Sequence, residues 1–129
     1  MGESVNLNME QTVIKNAKLV SDGKVFEGDL LIREGIIARI DRSIDEKNAN
    51  VVDANGSYVI PGVIDDQVHF REPGLTHKGS IYTESRAALA GGTTSFMEMP
   101  NVNPQTITNF LLEEKYELGA ANSAVNYSF

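Results

Sequence analysis

Apolar and polar residues follow one another in short runs over the first sixty residues, a pattern typical of half-buried β-strands. The segment TVIKNAKLV is rich in β-branched residues and predicts a strand. In DLLIREGIIARI two apolar runs meet at Glu34-Gly35, which predicts a hairpin. VVDANGSYVI carries Asn55-Gly56 between apolar pairs and predicts a second hairpin with a type I′ turn. Residues 1–60 are therefore interpreted as a small antiparallel β module without chemistry of its own.

After Pro61-Gly62 the pattern changes to strands that alternate with helices. The predicted strands are VIDDQVHF, TTSFMEM and the beginning of a third in SAVNYSF. SIYTESRAALA predicts a helix that Ser80 caps and Gly91-Gly92 ends, and ITNFLLEEKYEL predicts a second helix that ends at Gly119. Strands joined through helices imply a parallel sheet with crossover connections.

Two and a half strand–helix units do not close a barrel, which needs eight units and about 250 residues. An open parallel sheet covered by helices on one side would leave its other face and its edges exposed. The 129-residue chain is therefore interpreted as the front portion of a larger enzyme. The alternative is a small open α/β domain that ends on a strand.

Polar side chains gather in the two loops that follow consecutive strands. Because the carboxyl ends of parallel strands meet at one rim, these loops should be neighbours. The first loop contains His69, Arg71, Glu72 and His77-Lys78, and the second contains Asn101 and Asn103. In an extended chain Gln67, His69 and Arg71 would share one face. We therefore predict an imidazole able to bind metal beside a guanidinium and an amide able to bind an anion.

Each of these residues also has an ordinary structural interpretation. His69 need not be a ligand, Arg71 can be a surface ion-pair partner, and Asn101 can be a turn residue. His77-Lys78 can be a solvated loop, and Glu98 at a strand end can belong to a buried ion pair.

The amino-acid composition argues against several classes of protein and of functional site. The chain has 18 acidic and 11 basic residues and a net charge of -7, which argues against a general nucleic-acid binder. It has no cysteine, which excludes disulfides, thiolate catalysis and cysteine-based zinc sites. No apolar run approaches the ~20 residues of a membrane span. The opening MGESVNLNMEQT resembles neither a signal peptide nor a myristoylation site, so the expectation is a soluble cytoplasmic protein.

The segment PGVIDDQVHFREPGLTHKGSIYTESRAALAGGTTSFMEMPNVNPQT, residues 61–106, closely resembles the dihydroorotases of the amidohydrolase superfamily. Its FREPG and MPN-x-NP elements are specific to that family. The resemblance implies an α/β fold, the N-terminal part of a (β/α)₈ TIM-like barrel preceded by a small antiparallel β module, and a truncated chain. Residues 1–60 would supply part of a β-sandwich, and residues 61–129 would supply the first units of an incomplete barrel.

Site residues carry over position by position. His69 matches the second histidine of the family's His-x-His zinc motif, and Gln67 stands where the first belongs, so one metal subsite should be weakened. Arg71 and Asn101 match the residues that hold the substrate carboxylate. The other zinc ligands and the catalytic aspartate lie on later strands of the family's barrel, so no catalytic residue is assigned in this chain.

The implied function is the reversible hydrolysis of dihydroorotate to N-carbamoyl-aspartate in pyrimidine biosynthesis, with one or two zinc ions. The 129-residue chain alone is expected to be an inactive fragment. The alternatives are a non-catalytic dihydroorotase-like scaffold, for instance for aspartate carbamoyltransferase, and a related allantoinase or hydantoinase. The expected partners are the small-molecule substrate and further copies of the protein in a homo-oligomer, with no nucleic acid and no membrane.

Overall fold

A computed structural model describes residues 11–129. It divides into two compact units, one that ends at Pro61 and one that spans Gly62–Phe129. The interpretation of the N-terminal segment as free of a leader and of a lipid anchor lies largely outside the described residues. No helix in residues 11–129 has the length and apolarity required to cross a membrane.

The first unit is a five-stranded sheet in the order β3-β2-β1-β4, with β5 also paired to β1. Its strands are β1 (Gln11–Ser21), β2 (Lys24–Arg33), β3 (Ile36–Asp41), β4 (Asn50–Asp53) and β5 (Tyr58–Val59). The predicted hairpin at Glu34-Gly35 is confirmed, and both residues have the positive φ of a type I′ turn. Asp22-Gly23 forms a similar turn between β1 and β2, a hairpin that the sequence interpretation missed.

The module predicted to be antiparallel is a mixed sheet, in which only β1, β2 and β3 pair in the antiparallel direction. Both β4 and β5 run parallel to β1 and lie one after the other along it, so Asn55-Gly56 is a left-handed turn but not a hairpin. The turn takes up extra residues opposite a bulge in β1, where Asn16 has φ 55°. The Gly56 amide donates to the Asn16 carbonyl at 2.8 Å, so the edge stays paired through the turn.

Two apolar clusters line this sheet. One contains Val13, Leu31 and Ile44, and the other contains Ala17, Leu19 and Leu30. Since Leu30 and Leu31 are adjacent in β2, the clusters lie on opposite faces. The buried Asp29 carboxylate accepts hydrogen bonds from the Asn16 amide at 3.0 Å and the Ile44 amide at 2.9 Å. It therefore fixes both the bulge and the loop that leads from β3 to β4.

The second unit has the predicted order of strands and helices. Its elements are β6 (Val63–Val68), α1 (Ile81–Ala90), β7 (Thr93–Glu98), α2 (Asn109–Asn122) and β8 (Asn126–Ser128). The three strands form a parallel sheet in the order β6-β7-β8, which confirms the predicted topology. Phe70, Ile81 and Phe96 form the buried core between this sheet and the helices. Burial of each such side chain stabilises the fold by about 1.5–3 kcal/mol.

The ends of α1 agree with prediction, but the end of α2 does not. Ser80 caps α1 and accepts from the Thr83 amide, and Gly91 is the C-cap. Helix α2 continues through Gly119 to Asn122. A Cβ on Gly119 would lie 2.5 Å from Cε2 of Tyr127. Gly119 is therefore explained by close packing of a ring on the helix and not by helix termination.

Candidate functional site

The candidate site lies where β6 and β7 end. His69 directly follows β6, Glu98 is the last residue of β7, and Asn101 lies in the loop after β7. The two strands are adjacent and parallel, so their carboxyl ends and the loops that follow lie side by side. The loops therefore meet, as predicted.

Asn101 links His69 to Arg71. His69 Nδ1 lies 2.9 Å from Asn101 Oδ1, and Arg71 Nη1 donates to the Asn101 carbonyl oxygen at 3.3 Å. His69 and Asn101 are exposed, and Arg71 is half-buried. A guanidinium, an amide and an imidazole thus share one accessible rim, which we call the polar rim: His69, Arg71 and Asn101.

The alternation of side chains along an extended strand predicts that Gln67, His69 and Arg71 lie on one face, but the backbone of this segment is not a regular strand. Strand β6 ends at Val68, and its register with β7 shifts between Asp65 and Val68. The Gln67 amide donates to Asp65 Oδ1 at 3.1 Å within that irregular stretch. Arg71 has φ 74°, so it has left the extended conformation. The prediction that Gln67, His69 and Arg71 share one face of a regular strand is wrong, because the strand bulges and then ends.

The two loops are held together by backbone contacts. The Asn103 amide donates to the Pro73 carbonyl at 3.0 Å. Gly74 has φ 80°, and a Cβ there would overlap the carbonyl oxygen of Asn103. Glu72 accepts from the Ile81 amide at 2.8 Å, so it helps to cap α1 rather than face the rim. His77-Lys78 is exposed, consistent with the solvated-loop interpretation.

A buried ion pair lies beneath the polar rim. Glu98 Oε2 and Lys115 Nζ are 3.1 Å apart, and both side chains are at most 1% exposed. Burial raises the pKa of Glu98 above its ordinary value, and the Lys115 ammonium offsets part of that rise. The prediction that Glu98 belongs to a buried ion pair is confirmed. Its partner was missed, because Lys115 looks like one of the charged residues of a solvated helix face.

Comparison with known proteins identifies the superfamily. No family model matches the chain. It is 48% identical over 89 residues to a dihydroorotase from Carboxydothermus hydrogenoformans, a match that covers 69% of this chain and 21% of the relative. It is 41% identical over 117 residues to an allantoinase from Bacillus velezensis, covering 90% of this chain and 26% of the relative. The structure superimposes on an L-hydantoinase from Arthrobacter aurescens with a TM-score of 0.85 and 31% identity, over 92% of this chain and 27% of that one.

The chain belongs to the amidohydrolase superfamily.

This amidohydrolase chain spans about a quarter of the length of the relatives that it matches. It corresponds to the N-terminal part of their TIM-barrel fold, which confirms the fold class predicted from the sequence. The resemblance to dihydroorotases is also confirmed, by several curated dihydroorotases at 38–48% identity.

The zinc that the dihydroorotase resemblance implies is not accounted for by these residues. Among residues 11–129 no group of three or more histidine, aspartate or glutamate side chains is placed to hold a metal ion. Zinc sites take three or four protein ligands, and Gln67 offers only a neutral amide oxygen beside His69. The residues described here therefore do not fit a zinc site by themselves.

Proposed function

We propose that the full-length protein is a dihydroorotase-type cyclic amidohydrolase, which interconverts dihydroorotate and N-carbamoyl-aspartate in pyrimidine biosynthesis. In this proposal the present chain supplies the part of the active site that holds the substrate carboxylate. The binding residues are Arg71 and Asn101. The catalytic groups and most ligands of the one or two zinc ions belong to other parts of the protein.

The observation that carries the proposal is the contact between Arg71 and Asn101 across two loops. The guanidinium is a planar fork that matches a carboxylate, and its contact with Asn101 uses a single Nη1 donor. His69 Nδ1 contacts Oδ1 of Asn101, so this contact leaves the two Nδ2 donors of the amide for a ligand. Both substrate and product of the proposed reaction carry a carboxylate that this arrangement can bind.

A hydantoinase or an allantoinase is the second candidate, because relatives of both kinds match the chain. Hydantoin has no carboxylate, so Arg71 and Asn101 would have no charged group to bind. A protein of this kind should bind hydantoin at least as well as dihydroorotate.

A non-catalytic scaffold is the third candidate. The observation that favours it is Gln67, which stands where the family has a zinc histidine and weakens one metal subsite. Such a protein would form an assembly, either with its own copies or with aspartate carbamoyltransferase, without turning over substrate.

Calorimetry on the full-length protein tests the proposal. Dihydroorotate is compared with hydantoin, and wild type is compared with Arg71→Lys, which replaces the fork by a point charge. We expect Arg71→Lys to weaken dihydroorotate binding by ~1.5–3 kcal/mol, which is roughly 10- to 150-fold in Kd. Lys78→Met is the control for unspecific electrostatic effects, since it removes an exposed charge from the same loop and should change Kd by less than about threefold.

Each result has a defined meaning. Equal losses in Arg71→Lys and Lys78→Met would show that binding does not depend specifically on the Arg71 guanidinium fork and would overturn the carboxylate assignment. Preference for hydantoin over dihydroorotate would favour the second candidate. Zinc analysis and a turnover assay on the same sample separate an enzyme from a scaffold, because a scaffold binds without turnover.

A further inference from the structure

The ion pair between Glu98 and Lys115 is not explained by stability. Two charges taken out of water lose hydration, and well-packed apolar residues of similar volume often serve as well or better. Glu98 is 1% exposed and Lys115 is 1% exposed, so the desolvation is nearly complete. A pair of this kind calls for another role, and its remaining contacts indicate one.

Each member of the pair holds one of the two loops that form the polar rim. Glu98 Oε1 accepts a hydrogen bond from the Arg71 amide at 2.9 Å. Lys115 Nζ donates to the Met99 carbonyl at 3.2 Å, two residues before Asn101. The 3.1 Å contact between the two charges joins these bonds into a chain that runs from one loop to the other beneath the rim.

The contact with Arg71 acts on an unusual backbone. Arg71 has φ 74°, in the left-handed region that residues with a side chain rarely adopt. A bond from its amide to a buried carboxylate is charge-assisted and favours this conformation. The direction of the Arg71 side chain toward Asn101 depends on that backbone.

We propose that the buried Glu98–Lys115 pair is a positioning device that fixes the backbones of Arg71 and Met99 and so sets the spacing of Arg71 and Asn101 for a carboxylate. Glu98 and Lys115 do not touch the ligand. The part of the proposal that concerns a carboxylate ligand rests on the proposed function, whereas the effect on the Arg71 backbone does not.

Two double variants of the full-length protein separate positioning from stability. Both remove the ion pair, and both carry Lys115→Met so that no buried cation is left unpaired. Glu98→Gln/Lys115→Met keeps an oxygen that can accept from the Arg71 amide, whereas Glu98→Leu/Lys115→Met does not. Ser85→Ala is the control for stability alone, since it removes the hydrogen bond that the Ala124 amide donates to the hydroxyl of buried Ser85, which makes no contact with the polar rim.

The expected results differ between the two double variants. Hydrogen exchange of the Arg71 amide should accelerate about tenfold or more in the leucine variant and stay within about threefold in the glutamine variant. KM for dihydroorotate should rise about 10- to 100-fold in the leucine variant with kcat within about threefold, since binding and not chemistry is affected. Ser85→Ala should change neither quantity.

Equal exchange of the Arg71 amide in the leucine and glutamine variants, or unchanged Arg71 exchange in the leucine variant, would overturn the proposal. If the leucine variant does not fold, Glu98→Asp takes its place, because it keeps the charge and withdraws the acceptor from the Arg71 amide. If the wild type neither binds nor turns over dihydroorotate, the proposed function fails. The exchange measurement still decides whether the pair positions Arg71.

Discussion

Gly74→Ala is expected to destabilise the second unit and to displace the polar rim. Gly74 has φ 80°, and an added Cβ would overlap the Asn103 carbonyl oxygen and lie 2.8 Å from the Asn103 carbonyl carbon. These are backbone atoms of the residue whose amide donates to the Pro73 carbonyl. They cannot move without separating the two loops.

The expected loss of opening free energy in Gly74→Ala has two parts. A side chain in the left-handed region costs about 1–2 kcal/mol. Forcing a methyl group into a packed contact costs typically ~1–3 kcal/mol more. We therefore expect Gly74→Ala to lower the opening free energy of the unit by roughly 2–5 kcal/mol.

Gly92→Ala is the matched control. Gly92 has φ 89°, but a Cβ there would have no atom within 4 Å. Gly92→Ala should therefore lose only the cost of the left-handed backbone, about 1–2 kcal/mol of opening free energy. Alanine also lowers the entropy of the unfolded chain, but this effect is the same in both variants. The difference between the two variants isolates the clash with Asn103.

Native-state hydrogen exchange of β7 amides measures the opening free energy of this unit within the full-length protein. KM for dihydroorotate should rise in Gly74→Ala and not in Gly92→Ala. Equal losses of opening free energy in the two variants would refute the reasoning, because they would show that the loops separate without cost.

Three further predictions follow from the site. Gln67→His should raise the zinc content of the full-length protein, because imidazole is the better ligand; equal zinc by elemental analysis would show that Gln67 is no defect. Burial raises the pKa of Glu98 above its unfolded value, so its contribution to stability is fully present below the unfolded pKa and is lost as pH rises through the folded pKa. Between the unfolded and the folded pKa of Glu98, the free energy of unfolding measured with urea should fall as pH rises, and Glu98→Gln should flatten this pH dependence. An unchanged pH dependence in Glu98→Gln would assign the effect to another group. The 129-residue chain expressed alone should bind less than one zinc per chain and show no turnover of dihydroorotate, since residues 11–129 contain no group of three acidic or histidine side chains placed to hold a metal; a zinc-loaded, active chain would contradict this.

The sequence predicts the second unit well because its signals are local. Ser80 caps a helix and Gly91-Gly92 ends it through contacts within a few residues. Gly119 misleads because its role depends on Tyr127, which reaches the helix only after β8 pairs with β7. Local propensity contains no information about that contact.

In the first unit, too, local turn signals predict some elements and tertiary contacts decide others. Glu34-Gly35 joins strands that pair with each other, and the turn is sufficient to predict them. Asn55-Gly56 has the same left-handed backbone, yet its flanking strands pair with β1, at a bulge set by Asn16 and the buried Asp29. Tertiary packing decides which strand the flanking segments pair with, and the sequence of the turn does not predict that choice.

The candidate site was predictable in its members more than in its geometry. His69, Arg71 and Asn101 were placed together because parallel strands bring their ends together. The bulge before Val68 and the left-handed Arg71 were not predictable, since they depend on contacts with Asp65 and Glu98.

The buried pair also constrains how the sequence can change over time. Loss of Glu98 or Lys115 alone leaves a buried charge without its partner, at a cost of about 3–5 kcal/mol. That is a large fraction of the 5–15 kcal/mol by which a typical domain is stable. An apolar pair can be just as stable, but the single substitutions on the way to it are poorly tolerated. Evolutionary paths that retain the fold at every step must therefore change both positions almost together, and variation at one position is expected to correlate with variation at the other.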